Sequence, residues 1–153
     1  MLLYLDASAL VKRHLDEKGT VQVREIFEAA TVVGTSVLSR AESEAAFAKA
    51  VRTGAVTESE GRSALRDFRH DWPDFAIVSA PEPLVIRAGV LAFEHDLRGY
   101  DAVQLASALT WAEELAEMVT FATFDRQLWG AATEHSPLTP FPDDLPALLE
   151  EWA

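Results

Sequence analysis

Apolar residues recur along the chain with two different spacings, and the two alternate. Leu2–Leu5 is a short unbroken apolar run ending at Asp6, the pattern of a buried strand. A helical stretch follows from Ser8 to about Leu15, then a turn at Lys18-Gly19 and a second helix over about Val21–Ala30. The β-branched run Thr31–Thr35 predicts the next strand. Ser39–Thr53 is rich in alanine, with Ala41, Ala45 and Ala48 on one face, and stops before Gly54, which predicts a helix. Thr57 and Glu60 form a capping box for a helix reaching about Trp72, with the stripe Gly61, Leu65, Phe68 and Trp72 facing inward and Pro73 ending it. Phe75–Val78 reads as the third strand, and Pro81 and Pro83 open a helix to about Asp96. Another helix runs from Asp101 to about Leu115, with Leu105, Ala106, Leu109 and Ala112 turned inward. Val119–Ala122 is the fourth predicted strand and Asp125–Ala131 a short helix. Leu138–Phe141 fits only an edge strand, because Pro137 and Pro140 exclude a central one.

Strands alternating with helices predict an α/β fold: an α/β/α sandwich whose central parallel sheet is covered on both faces. No internal repeat or linker interrupts the pattern. Residues 1–142 are expected to form one domain, with 143–153 as its acidic, weakly helical C-terminal tail.

Composition narrows the function. A hydrophobic fraction of 49% is enough for a packed core. The absence of cysteine excludes disulfides and thiolate chemistry and suits a cytoplasmic location. No apolar run approaches the ~20 residues needed to span a bilayer, and the early Asp6 leaves no room for a signal peptide, so no membrane association is expected. The net charge of −12 opposes a nucleic-acid partner. That objection weakens if carboxylates gather around a cation and the few basic residues concentrate where a substrate lies.

Four acids stand where such a fold turns from strand to helix. Asp6 ends the first strand, and Asp is a favoured helix N-cap. Ser39-Arg40-Ala41-Glu42 has the spacing of a capping box, and so does Asp101 with Gln104. Asp125 follows the fourth strand and suits a cap of the short helix beginning there. Each residue alone is explained as a cap. Together they fall at the carboxyl ends of strands, where open parallel sheets bind ligands. Converging carboxylates repel one another, and either protonation or a cation relieves the repulsion. An all-oxygen donor set suits Mg²⁺ or Mn²⁺ rather than zinc.

Four segments carry a resemblance. They are Tyr4-Leu5-Asp6-Ala7-Ser8-Ala9-Leu10, Thr35-Ser36-Val37-Leu38-Ser39-Arg40-Ala41-Glu42, Tyr100-Asp101-Ala102-Val103-Gln104-Leu105-Ala106 and Ala122-Thr123-Phe124-Asp125. In this order and spacing they resemble the motifs of the PIN-domain ribonucleases, in particular the VapC toxins of toxin–antitoxin pairs. The resemblance implies a Mg²⁺-dependent endoribonuclease, with Mn²⁺ as an alternative ion, RNA as substrate, an antitoxin protein as partner and a homodimer as assembly. It also implies that Asp6 and Asp101 hold the ion while Glu42 and Asp125 complete the cluster directly or through water. Ser8 matches the family's small hydroxyl residue and would bond to a metal water or a phosphate oxygen. Thr123 would orient Asp125. Glu44 lies close to Glu42 but points about 200° away on an ideal helix.

The basic residues offer two readings. Arg62, Arg66 and Arg69, spaced four and three, form either a solvated face or a phosphate-tracking arm. Lys12, Arg13, Arg40, Arg98 and Arg126 fall within seven positions of a motif acid. The four histidines show no metal-site spacing and are expected at the surface or in loops, and the tryptophans are expected in packing rather than base stacking. An apolar groove around Ala48 and Leu65 would seat an antitoxin. An aspartate-based phosphatase fits poorly, because Ser8 stands where its second acid belongs and no lysine follows Lys49. The alternative from another class is a non-catalytic PIN-like module that binds RNA or protein.

Overall fold

The computed structural model describes residues 1–153. The strands are β1 (Leu2–Leu5), β2 (Val32–Ser36), β3 (Ala76–Val78), β4 (Val119–Ala122) and β5 (Leu138–Phe141). The helices are α1 (Ala7–His14), α2 (Thr20–Ala29), α3 (Ser39–Arg52), α4 (Glu58–Asp71), α5 (Glu82–His95), α6 (Gly99–Leu115), α7 (Arg126–Ala132) and α8 (Leu145–Trp152). All strand pairs are parallel and the order is β3-β2-β1-β4-β5. The expected α/β/α sandwich is therefore present, and β5 lies at an edge as its prolines require.

Strand alternation sends β1 side chains into two cores. Leu3 and Leu5 pack with Leu10 of α1, Phe47 of α3 and Phe68 of α4. Tyr4 points to the other face, among Leu105 and Leu109 of α6, Phe121 of β4 and Leu128 of α7. Gly34 of β2 lets α6 approach closely, since a Cβ there would stand 2.8 Å from the Trp111 ring.

The strand order also creates the site. From β1 the chain builds outward through β2 and β3 on one side, then returns to place β4 on the other. Adjacent β1 and β4 end level, with Leu5 opposite Ala122, while their following helices α1 and α7 pack on opposite faces. Such a switch point leaves a crevice beyond the strand ends.

Several local expectations are corrected. The α3 N-cap is Leu38, so Ser39 and Glu42 form no capping box. The α6 N-cap is Arg98, so Asp101 lies within the first turn and caps nothing. On α3 the three alanines Ala41, Ala45 and Ala48 do share one face, which is exposed, while Ser39, Ser43 and Phe47 are buried. Two histidines are not surface residues. The His14 side chain is 3% exposed and bonds Asp71 at 2.9 Å. The His95 side chain is buried, with its Nε2 2.9 Å from His135 Nε2. By contrast, Thr57 and Glu60 make the expected capping box.

Candidate metal centre

Asp6 leaves β1 at the crevice and is only 3% exposed. Its backbone amide extends the sheet ladder by donating to the Ala122 carbonyl. Its Oδ1 accepts from the Ala9 amide at 2.9 Å, the expected N-cap of α1, and from Ser8 Oγ at 2.7 Å. Its Oδ2 accepts from Thr123 Oγ1 at 2.6 Å. The two hydroxyls also bind the strand end opposite. Ser8 Oγ accepts from the Phe124 amide, and Thr123 Oγ1 from the Asp125 amide. Ser8 and Thr123 thus tie the ends of β1 and β4 together around one carboxylate.

Glu42 enters from α3 and is held from below. The Tyr4 hydroxyl donates to Gln104 Oε1 at 2.6 Å, and Gln104 Nε2 donates to Ser39 Oγ at 3.0 Å and to Glu42 Oε1 at 3.1 Å. Thr35 Oγ1 lies 2.7 Å from both Ser39 Oγ and the Leu5 carbonyl. This buried chain of bonds runs from β1 through α6 to α3. Local spacing alone assigns its polar groups to helix caps. The remaining signal is Gln104 itself, an amide in an otherwise apolar helix face.

Asp101 and Asp125 share one guanidinium. Arg98 Nε donates to Asp101 Oδ2 at 3.0 Å and its Nη2 to Asp125 Oδ2 at 3.2 Å, although the Arg98 side chain is 78% exposed. Asp125 Oδ1 caps α7 by accepting from the Leu128 amide. Glu44 stands apart, paired with Arg40 and Arg69, whose hydrogen bonds hold its carboxyl below the ordinary value. The candidate arm is likewise engaged elsewhere: Arg62 pairs with Glu58, Arg66 with Asp67 and Arg69 with Glu44.

Electrostatics follow from this crowding. Burial pushes the Asp6 carboxyl up to about 6, with the Asp101 charge adding to the rise and the Thr123, Ser8 and Ala9 bonds opposing it. Burial and Asp101 raise Glu42, and burial and Asp125 raise Asp101. Carboxylates whose ionisation is opposed by burial and by one another carry a repulsion that a cation would relieve.

Residues 3–132 match the family described as PIN domain, a span that includes all four acids, Ser8 and Thr123. The chain belongs to the PIN-domain family. It is similar to Ribonuclease VapC45 of Mycobacterium tuberculosis (strain CDC 1551 / Oshkosh), 38% identical over 131 residues, which cover 83% of this chain and 86% of the relative. The fold of this PIN domain is similar to PAE2754 from Pyrobaculum aerophilum, with a TM-score of 0.63, 21% identity and 98% and 99% of the two chains covered. It is similar also to a chain of a toxin–antitoxin complex from Klebsiella pneumoniae, with a TM-score of 0.58, 16% identity and 80% and 86% covered.

The candidate donors of this PIN domain, the four acids with Ser8 and Thr123, offer oxygen alone, which fits a hard divalent ion. No three acidic or imidazole side chains are already gathered at coordinating distance.

The raised Asp6 value gives a pH dependence. The neutral carboxyl is the form burial favours, so the stability it contributes is full below the ordinary value of 3.8 and is lost as pH rises through about 6. The loss is on the order of 3 kcal/mol for one group. Thermal unfolding in EDTA is expected to show a melting temperature that falls from pH 4 to pH 7, with Mg²⁺ recovering the loss at pH 7 (rough bounds on either side of that transition). A melting temperature that rises across this range and ignores Mg²⁺ would contradict the electrostatics described.

Proposed function

We propose that the chain is a Mg²⁺-dependent endoribonuclease, with Mn²⁺ able to replace Mg²⁺, and that it acts as the toxin of a toxin–antitoxin pair in the cytoplasm. The observation that supports this reading is a run of neighbouring carboxylates near the β1–β4 switch point: Asp101 and Asp125 share Arg98, and the Asp101 charge reaches Asp6 and Glu42. The likeness to a named ribonuclease over most of the chain supports the substrate class.

Asp6 and Asp101 would hold the ion, with Glu42 and Asp125 completing the cluster directly or through water. When bound, the ion lowers the pKa of a water and offsets charge on the scissile phosphate and leaving oxygen. The chain's own residues prepare that site. Ser8 and Thr123 fix both oxygens of Asp6, so its carboxylate needs no reorganisation to bind. The Tyr4–Gln104 relay aims Glu42 toward the crevice. Arg98 bridges Asp101 and Asp125, neutralising part of their repulsion, and its guanidinium is exposed enough to turn toward a phosphate oxygen.

An antitoxin partner and a homodimer belong to the same proposal. The cavity between α3 and α4, about 280 Å³ and lined by Phe47, Ala48, Val51, Gly61 and Leu65, supports an apolar partner segment seated there. The exposed Val85, Ile86, Val90 and Phe93 of α5 support a second copy covering that face, since Phe93 is 94% exposed.

The activity test is cleavage of single-stranded RNA with Mg²⁺ by Asp6→Asn and Asp101→Asn. Each is expected to lose at least about a hundredfold in rate while keeping its circular dichroism spectrum, the scale of removing a group that stabilises transition-state charge. Full activity in either folded variant would end the proposed mechanism. For the assembly, sedimentation should give a dimer for the chain alone and a larger complex with the product of an adjacent reading frame. Phe93→Glu should give a monomer; a monomeric parent chain would remove the dimer.

A further inference from the structure

Where RNA approaches a chain of net charge −12 is an open physical question. The arm expected from spacing, Arg62, Arg66 and Arg69, lies on α4, pairs with Glu58, Asp67 and Glu44, and none of the three lines the crevice beside Glu42. A second cationic surface borders the acids directly. A cleft of about 700 Å³ between α1 and α3 is lined by Lys12, Lys49, Arg98, Glu17, Glu42 and Phe124 among others. Its charged lining holds three cations against two carboxylates, on a chain with 25 acids and 13 basic residues. Two of the three lysines of the whole sequence are here.

The two lysines differ in how they are held. Lys12 is largely buried, its Nζ bonded to Glu17 at 2.9 Å and lying 4.8 Å from the centre of the Phe124 ring. Trp152 of α8 stacks on Phe124, with ring centres 6.0 Å apart and planes inclined by 13°. Lys18 Nζ, donating to the Trp152 carbonyl, anchors that end of α8. Phe124 therefore already packs against Trp152 and Lys12, and its work is to fix Lys12 beside the Thr123–Asp125 segment. Lys49 is exposed on α3 and has no carboxylate within ion-pair distance. It is the unneutralised cation of the cleft.

We propose that this α1–α3 cleft is the RNA-binding track, resting on the ribonuclease reading above. Lys49 and Lys12 bind phosphates of a single strand on one side of the scissile bond, and Arg98 binds at the acids. Single-stranded RNA is the form that fits, because the cleft runs between two helices to Ser8 and Glu42, and Asp6, bonded to Ser8, is nearly buried. A charged groove that follows the backbone binds with little regard to base identity.

The test is steady-state cleavage of a single-stranded oligoribonucleotide with Mg²⁺ at several salt concentrations. Lys49→Glu is the main variant, because its exposed side chain carries no packing. It is expected to raise KM about two- to fivefold or more, the scale of one exposed charge pair. It should leave kcat within twofold, and lower the slope of log KM against log salt by ~0.7 for each phosphate that is no longer bound. Lys12→Met, which keeps the stem against Phe124, should act the same way. Arg66→Glu should change neither quantity. The track is overturned if the lysine variants leave KM and slope unchanged, or if Arg66→Glu reproduces their effect. It is also overturned if Lys49→Glu weakens binding of a protein partner alone. A parent chain that cleaves no RNA would instead sink the ribonuclease reading beneath it.

Discussion

The structure turns on one buried carboxylate. Asp6 ends the strand at the centre of the sheet, where β1 meets β4, and a charge there is costly unless it is paired. Three hydrogen bonds hold it in place without neutralising it. They come from α1 and from the segment after β4, so satisfying Asp6 also joins two elements far apart in sequence. Hydrogen bonds stabilise the ionised form but do not overcome burial, and the carboxyl stays near 6. The fold thus holds a carboxyl whose ionisation a nearby cation would favour.

The other acids are arranged by the same demand for polar partners. Glu42 is reached by a chain of bonds that starts at Tyr4, two positions before Asp6 and on the sheet face away from Leu3 and Leu5. Shifting β1 by one residue would exchange Tyr4 for a leucine in that core and break the relay. Asp101 and Asp125 are joined by Arg98, the N-cap residue of α6, so the start of that helix sets the distance between two elements of the site. Register and helix start are therefore functional parameters as much as structural ones.

Most of the architecture is legible in the sequence because its signals are local. Leu2–Leu5, Val119–Ala122 and the proline-marked edge strand are continuous short runs, and α4 announces itself with Thr57 and Glu60. Most departures share one cause, Asp101 excepted, which bonds Arg98 within its own first turn. Ser39, Glu42 and Gln104 have the spacing of capping boxes, but their side chains bond across 62, 65 and 100 residues of sequence. His14 and His95 look like surface residues for the same reason, since Asp71 and His135 lie 57 and 40 residues away. Arg69 on α4 reads as free because Glu44, which engages it, belongs to α3. Local chemistry identifies a residue's capability; only the fold decides which partner claims it.

The charge objection also takes a different form in three dimensions. The acids that make the net charge so negative include those that bind Arg62, Arg66 and Arg69, while Lys49, which pairs with no carboxylate, borders the crevice with Lys12 and Arg98. The central claim, that Asp6 anchors a divalent-ion site, is tested most directly by titrating Mn²⁺ into the metal-free protein while following bound ion by electron paramagnetic resonance and released protons by pH-stat. Near pH 6 the parent chain should take up Mn²⁺ and release protons from its raised carboxyls, releasing few at pH 8 (roughly the two sides of the shifted titration), and folded Asp6→Asn should lose most of the uptake. Equal Mn²⁺ binding by parent and Asp6→Asn, with no proton release at either pH, would contradict it.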